Sequence, residues 1–375
     1  MDWLVRRFTV RMSTTLSVYV GRHFLMAVLL LLVLILLLVF MIDIIELLRR
    51  AAAKPNITVN TVINMALLKL PYMSQKILPF AVLFGGMLCF WQLTRSNELV
   101  VTRGSGVSVW QFLFPAISLA ILLGTFQISI VNPLASTTLS RFKQLEALHY
   151  RGSHSLLTVS GSGIWLRQAN QDGQSVLHAK SYVQNQNEVE LHDVTVFTYI
   201  GKDNFRNRLR AYSAKLINGF WHFKDTWIYE AEKTPINKTE HWLATDLTRD
   251  KIQDSFAPPE TMSFWDLPTF IKTLEKAGFS AVRHRLHWHS LLAAPLLMSA
   301  MVLIGAAFTL RHSKRGATTY VIAGGVITGF TLYIFSDVLI ALGLSDTVPA
   351  PLAAWSPPSV ALLLGLATLL HLEDG

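Results

Sequence analysis

Basic side chains stand inside and beside long apolar segments of the sequence, where charge usually faces a cavity or a partner. Lys69 and Lys76 are seven residues apart, so one face of a helix would carry both. Arg49 and Arg50 follow Glu46 at the spacings of ion pairs within a helix. The four cations form a candidate basic rim for the phosphates of an amphiphile, since arginine makes forked hydrogen bonds and lysine acts as a point charge. The alternatives are that the lysines extend to lipid headgroups and that the arginines pair with Glu46.

A second candidate group lies in a short polar segment between two apolar ones, at about residues 94–104. Glu98 is its only acidic residue and is flanked by Arg95 and Arg103. Three consecutive apolar residues follow, Leu99, Val100 and Val101. Exposed apolar residues usually meet lipid or a partner, so the pattern predicts a short helix that docks on another protein. The alternative is that the apolar residues dip into the headgroup region while Glu98 pairs with Arg95, three residues earlier.

The other residues and motifs that could carry chemistry do not predict a metal site or a catalytic site. A cluster of His284, His287 and His289 could ligate a metal, but with Arg283, Arg285 and Trp288 it fits better an interfacial belt where a helix enters the bilayer. The only cysteine is Cys89, which excludes an intramolecular disulfide. The sequence contains no phosphate-binding loop, Gly-x-Ser-x-Gly or His-Glu-x-x-His motif. It therefore predicts no catalytic residue, no metal and no cofactor.

The elements that must position these residues are six apolar spans. Phe24 to Ile42 is an unbroken apolar run, which as a helix measures about 28 Å and matches the hydrocarbon core of a bilayer. Only 15% of the residues are charged and 51% are hydrophobic, as expected for a polytopic α-helical membrane protein. A cleaved signal peptide is disfavoured because the run is too long and no cleavage site follows it. The other spans are at about 63–91, 108–131, 290–310, 318–342 and 352–370.

The distribution of lysine and arginine in the short connections predicts the orientation. One side has nine, which are Arg6, Arg7, Arg11, Arg22, Arg95, Arg103, Arg311, Lys314 and Arg315. The other side has three, which are Arg49, Arg50 and Lys54. Both termini are therefore expected in the cytoplasm, with the segment between spans three and four outside. The net charge of +9 is explained by these flanks, and no nucleic-acid-binding module accompanies it.

The insert between spans three and four, 133–285, is predicted to be all-β. Trp221, Phe223, Trp227 and Tyr229 fall on odd positions with polar residues between them, which predicts an inward aromatic face. A connecting helix is expected at 263–278, with Ser263 as N-cap and Gly278 as C-cap. The predicted domains are thus 1–132, with three helices, 133–285, and 286–375, with three more.

Several segments match a known family pattern. Residues 78–85 (LPFAVLFG) and 96–106 (SNELVVTRGSG) correspond to a Leu-Pro-rich second span and the Ser-Glu-Leu segment after it. The chain resembles the LptF/LptG family of lipopolysaccharide-export permeases over nearly its whole length beyond residue 15. The Glu-Leu-Val-Val form and the Pro-Pro pair at Pro357 are closer to the LptG-type members. Two departures are Gly104, where alanine is usual, and Asp43, where some members have a basic residue.

The resemblance implies a transport role in the bacterial inner membrane rather than an enzyme. It implies a homologous LptF-like second permease subunit and a cytoplasmic ATPase dimer that docks on the coupling helix at about 94–104, with Glu98 at the matching glutamate. It also implies that lipopolysaccharide is extracted from among membrane lipid, and that the insert is a periplasmic β-jellyroll which passes it to a jellyroll bridge protein.

Two other functions compete with this one. A membrane receptor or scaffold with an extracellular β domain would bind its ligand there, but it needs an output domain that the short cytoplasmic connections do not supply. An integral-membrane enzyme acting on lipid needs an acid–base pair or a nucleophile, and the sequence offers no convincing one.

Overall fold

The structure, a computed structural model, describes most of the chain as two compact units. The described residues are 14–52, 57–151, 157–160, 163–170, 173–185, 188–200, 204–217, 219–230, 233–245, 257–276, 279–310 and 318–374. One unit, here the membrane unit, combines Met1–Lys143 with Arg285–Gly375. The other, the β unit, is Gln144–His284.

Six of the described helices are long and apolar enough to cross a membrane, which confirms the predicted number of spans. The described α-helices are α1 Thr14–Ala51, α2 Val59–Arg95, α3 Glu98–Gly104, α4 Val109–Phe126, α5 Asn132–Glu146, α6 Leu267–Lys276, α7 Val282–Thr309, α8 Thr318–Leu344 and α9 Ala350–Asp374. The spans are α1, α2, α4 with its continuation into α5, α7, α8 and α9. Three precede the β insert and three follow it. The predicted basic turn between α7 and α8, at 311–316, lies outside the described residues.

The third span continues past its predicted end at Asn132 and Pro133. A π-helical turn at Gln127–Val131 joins α4 to α5, and a second one follows at Ala147–Arg151. Proline inside an α-helix lacks an N–H donor and clashes with the carbonyl four residues earlier. The wider π turn lies directly before Pro133 and relieves that clash. The helix therefore continues beyond the apolar segment predicted at about 108–131.

Glycines allow close helix contacts in the membrane unit. A Cβ atom on Gly85 would lie 2.7 Å from the Cα of Val28, where α2 meets α1. A Cβ atom on Gly124 would lie 2.5 Å from the Cα of Pro295, where α4 meets α7. Neither distance leaves room for a side chain, so small residues set how closely these helices approach.

The β unit is an antiparallel sheet of seven described strands paired in chain order, which confirms the predicted all-β insert. The strands are β1 Leu157–Ser160, β2 Gly163–Asn170, β3 Gly173–Asn185, β4 Glu188–Ile200, β5 Asn204–Ile217, β6 Phe220–Glu230 and β7 Ile236–Ala244. The sheet curls, as shown by contacts between the buried Gln168 of β2 and the end of β7. Its amide accepts a hydrogen bond of 2.6 Å from the Thr245 hydroxyl and donates one of 3.4 Å to the Ala244 carbonyl.

The predicted aromatic face of β6 is only half right. Trp221 and Phe223 are fully buried, but Trp227 is exposed and Ile228 is buried in its place. The cause is Asp225, whose φ of 50° breaks the strict alternation of side chains along an extended strand. Asp193, with a φ of 51°, does the same in β4. The inner face therefore changes from odd to even positions partway along the strand.

The connecting helix α6 begins later than predicted. Ser263 does not cap it directly, since its side chain accepts a hydrogen bond from the Trp265 amide in a turn that precedes Leu267. The apolar positions Leu267, Ile271 and Leu274 are buried, as their helical spacing indicates. The predicted C-cap, Gly278, lies outside the described residues.

Candidate functional site

The predicted docking segment forms a separate short helix, α3, between the second and third spans. Thr94 and Arg95 belong to the end of α2, and the chain turns at Asn97, whose φ is 60°. Asparagine adopts this left-handed conformation more readily than most residues, so it can end one helix and allow another to start. Glu98 is the first residue of α3, where a carboxylate complements the helix dipole.

Glu98 does not form the ion pair with Arg95 that its spacing suggested. The Tyr19 hydroxyl of α1 lies near the Glu98 carboxylate and interacts with it instead. The Arg95 guanidinium lies over the Trp91 ring, 5.2 Å from its centroid. Glu98 is thus tied to the start of the first span, a contact across the fold that the sequence pattern did not indicate.

The apolar residues of α3 divide between an interior and an exterior position. Leu99 is 5% exposed and packs in the core of the membrane unit, whereas Val101 is 71% exposed. The side chains of Val100 and Arg103 lie outside the described part of the chain. Leu99 therefore anchors α3 to its own subunit, and Val101 is the apolar side chain that faces outward.

The arginines of the basic rim share one carboxylate. Arg49 donates from Nε and Nη2 to the two oxygens of Glu46, both at 2.8 Å, and Arg50 donates from Nε at 2.8 Å. These are the intrahelical pairs that the spacing allowed. Both arginines remain well exposed, so a further anion can approach them.

The lysines of the basic rim have different surroundings. Lys69 of α2 forms an ion pair with Asp43 of α1, and its nitrogen lies 5.6 Å from the centroid of the Phe142 ring. Lys76 lies over the Tyr72 ring, 5.0 Å from the centroid. Four cations with two carboxylates leave this region with a net charge of two positive. Asp43, which departs from the family pattern, is thus the partner of Lys69, a pairing that the sequence did not predict.

Two buried glutamines also went unpredicted. Gln75 of α2 and Gln127 at the π turn are almost fully buried. The side-chain amide of Gln127 donates to the backbone carbonyl of Gln75 at 3.4 Å. Gln127, Ser129 and Asn132 are polar residues within an apolar span, and their presence there was the available signal.

The histidine cluster carries a structural contact. The His284 ring is buried, and its Nε2 is 3.2 Å from the Ala257 carbonyl, which it can reach as a donor. A nitrogen used in this way is not available to a metal ion.

Six apolar helices, with an antiparallel β unit after the third and a short helix between the second and third spans, define a multi-pass membrane protein with an inserted β domain. The sequence model described as "Lipopolysaccharide export system permease LptF/LptG" matches residues 18–371. The chain therefore belongs to the LptF/LptG family.

Curated relatives bear LptG names. The lipopolysaccharide export system permease protein LptG of Escherichia coli (strain K12) is 23% identical over 314 residues, which is 81% of this chain and 84% of that protein. The protein of the same name from Haemophilus influenzae is 22% identical over 362 residues, or 92% of this chain and 95% of that protein. These relatives are permease subunits rather than enzymes, and a multi-pass inner-membrane location fits them and the six helices.

Proposed function

We propose that this chain is a permease subunit of an ABC transporter that extracts lipopolysaccharide from the inner membrane and passes it to a periplasmic bridge protein. The observation that carries the proposal is the family match over residues 18–371, together with a β unit inserted between two sets of three spans. ATP hydrolysis belongs, on this proposal, to a separate cytoplasmic ATPase dimer.

The second permease subunit needs an apolar face to pack against. In α7, 72% of the most apolar stretch is buried within the unit, against 11% in α1 and 17% in α8. Helices with so little burial face lipid or another membrane protein. We therefore assign the open faces of α1 and α8 to the homologous LptF-like subunit and to membrane lipid.

The orientation follows from the excess of lysine and arginine on the side of the N-terminus. A single cysteine at Asn237, in β7, should react with an impermeant thiol reagent in intact spheroplasts. A cysteine at Ser313, which lies outside the described residues, should react only after permeabilisation. Both variants are made in a Cys89→Ser background, and reaction at position 313 alone would invert the orientation.

Coupling to the ATPase is assigned to α3. Glu98 sits at the helix start, Val101 faces outward, and Leu99 fixes the helix to the permease core. A rigid anchor beneath an exposed surface suits a contact that must transmit motion between two subunits. We propose that Glu98 makes a charged hydrogen bond to the ATPase while Val101 fills an apolar recess beside it.

The test is the affinity of the ATPase for purified permease. Truncating one partner of a desolvated charged contact typically costs about 2–5 kcal/mol, so Glu98→Ala should weaken association at least roughly tenfold. Membrane insertion and abundance should stay near normal. Unchanged association together with unchanged lipopolysaccharide export would reject α3 as the docking helix.

A matched variant separates docking from internal structure. Tyr19→Phe removes the hydroxyl that interacts with Glu98 within the chain and leaves the Glu98 carboxylate in place. Association should then be weakened much less than by Glu98→Ala. Equal losses in both variants would make Glu98 a residue that holds α3 against α1.

A further inference from the structure

Strand pairing in the β unit aligns six side chains in one row across the sheet. Adjacent partners are Trp165 with His178, His178 with Thr195, Thr195 with Arg210, Arg210 with Trp227, and Trp227 with Asn237. These residues, here the outer row, come one each from β2 to β7. Side chains directly opposite one another on neighbouring strands point to the same face, so the row is continuous.

The outer row lies on the face opposite the core of the unit. Ile164 and Leu166, on either side of Trp165, are buried, as is Leu209 beside Arg210. Trp165 and Trp227 are both exposed, although large aromatic side chains are usually covered. Burial in the core of the unit does not account for these two tryptophans, which favours a binding role.

The outer row has a tryptophan near each end and polar or cationic side chains between them. The Trp165 ring lies 4.3 Å from the His178 ring, centroid to centroid. The Arg210 side chain forms an exposed ion pair with Asp193, at 3.6 Å, and such pairs are weak and exchange readily. Arg208 and Tyr229 are cross-strand partners two positions from Arg210 and Trp227, on the same face. The Arg208 guanidinium lies 4.6 Å from the centroid of the Tyr229 ring. Arg208 therefore lies against one aromatic ring, and Arg210 is the cross-strand neighbour of the exposed Trp227.

We propose that the outer row binds the anionic oligosaccharide part of the transported glycolipid. This rests on the proposed function, which makes the substrate a phosphorylated glycolipid. A tryptophan ring offers a flat apolar face to the C–H face of a sugar, and arginine binds phosphate through a fork of N–H donors. From β2 to β6 the row extends over four strand spacings, roughly 19 Å, which is long enough for several sugar units.

The test uses the full-length protein in nanodiscs of neutral lipid. The probe is the oligosaccharide obtained by complete deacylation of lipopolysaccharide with its phosphates retained, and binding is measured by titration calorimetry. Trp165→Ala and Trp227→Ala should each weaken binding roughly tenfold, as expected for exposed aromatic anchors. Arg210→Gln should weaken binding of this probe but not of the dephosphorylated oligosaccharide.

The matched control is Trp242→Ala. Trp242 is an exposed tryptophan of the same sheet that stacks on His222, at 4.1 Å between centroids, five residues along β7 from the outer row. Its loss should leave probe binding unchanged. Equal weakening by Trp242→Ala, no binding by the native chain, or displacement of the probe by phosphatidylglycerol vesicles would each overturn the proposal. The ATPase affinity of the outer-row variants should stay normal, which separates this test from that of the proposed function.

Discussion

Helix α1 carries two acidic residues three positions apart, and they meet their cations in different ways. Asp43 pairs with Lys69 on a neighbouring helix, and the exposed fractions of the two side chains are 15% and 22%. Glu46 pairs with Arg49 and Arg50 of its own helix, and the exposed fractions of the arginines are 73% and 50%. The Asp43–Lys69 pair links two helices, whereas the Glu46 pairs lie at the end of one helix.

The difference separates a structural charge from an available one. A part-buried ion pair leaves an uncompensated charge when one partner is removed, so its members are constrained. An exposed pair is screened by solvent and exchanges with other ions. Within the basic rim, Arg49 and Arg50 are therefore the cations best suited to bind lipid phosphate, and Lys69 is the one most committed to the fold.

The largest expected effect is that of Lys69→Met. The Asp43 carboxylate would stay in its part-buried position without its cation, which should lower the free energy of unfolding by about 3 kcal/mol. The thermal midpoint of the purified protein in detergent measures the loss. The double variant Asp43→Asn with Lys69→Met should recover most of it, because no charge is left unpaired. A double variant as unstable as the single one would show that Lys69 acts through packing on Phe142 instead.

Lys76→Met is the matched control for Lys69. Both lysines lie on one face of α2, but Lys76 contacts the Tyr72 ring four residues away on its own helix. A cation–π contact of that kind contributes at most about 1 kcal/mol when exposed. A loss as large as that of Lys69→Met would contradict the distinction between the two lysines.

Sequence spacing predicted one of these groups and could not predict the other. The i to i+3 and i+4 spacings of Glu46 with the arginines are local, so the pairs follow from helix geometry alone. Asp43 and Lys69 are separated by 26 positions, and only the packing of α1 on α2 brings them together. The same limit applies to Tyr19 and Glu98.

The differences between predicted and observed helix ends and strand faces have another cause, which is the local backbone conformation. The six spans and the all-β insert followed from hydropathy and alternation, because these reflect burial directly. Asn97 and Asp225 take positive φ values, and the π turn before Pro133 adds a residue to one helical turn. Each of these features changes a helix end or the inward face of a strand, and a prediction based on regular hydrophobic periods cannot detect it.

An intermediate effect is expected from Arg49→Glu combined with Arg50→Glu. The side chains are exposed, so the assembled complex and its abundance should be retained. Photocrosslinking to lipopolysaccharide should fall several-fold, because two cations are replaced by anions beside Glu46. Unchanged crosslinking would make these arginines charges of the helix end, with no part in lipid binding.

The smallest effect is expected from Glu46→Gln, and it tests the comparison most directly. The substitution removes the shared carboxylate but keeps the size of the side chain, and exposed ion pairs often contribute nothing measurable to stability. The thermal midpoint should therefore not change, whereas Asp43→Asn, three residues earlier on the same helix, should lower it because Lys69 loses its partner. With Glu46 neutral, the carboxylate that competes with phosphate for Arg49 and Arg50 has lost its charge, so crosslinking to lipopolysaccharide should rise slightly. If Glu46→Gln lowers the midpoint as much as Asp43→Asn, the exposed group is also structural, and the division of the basic rim into fixed and available cations fails.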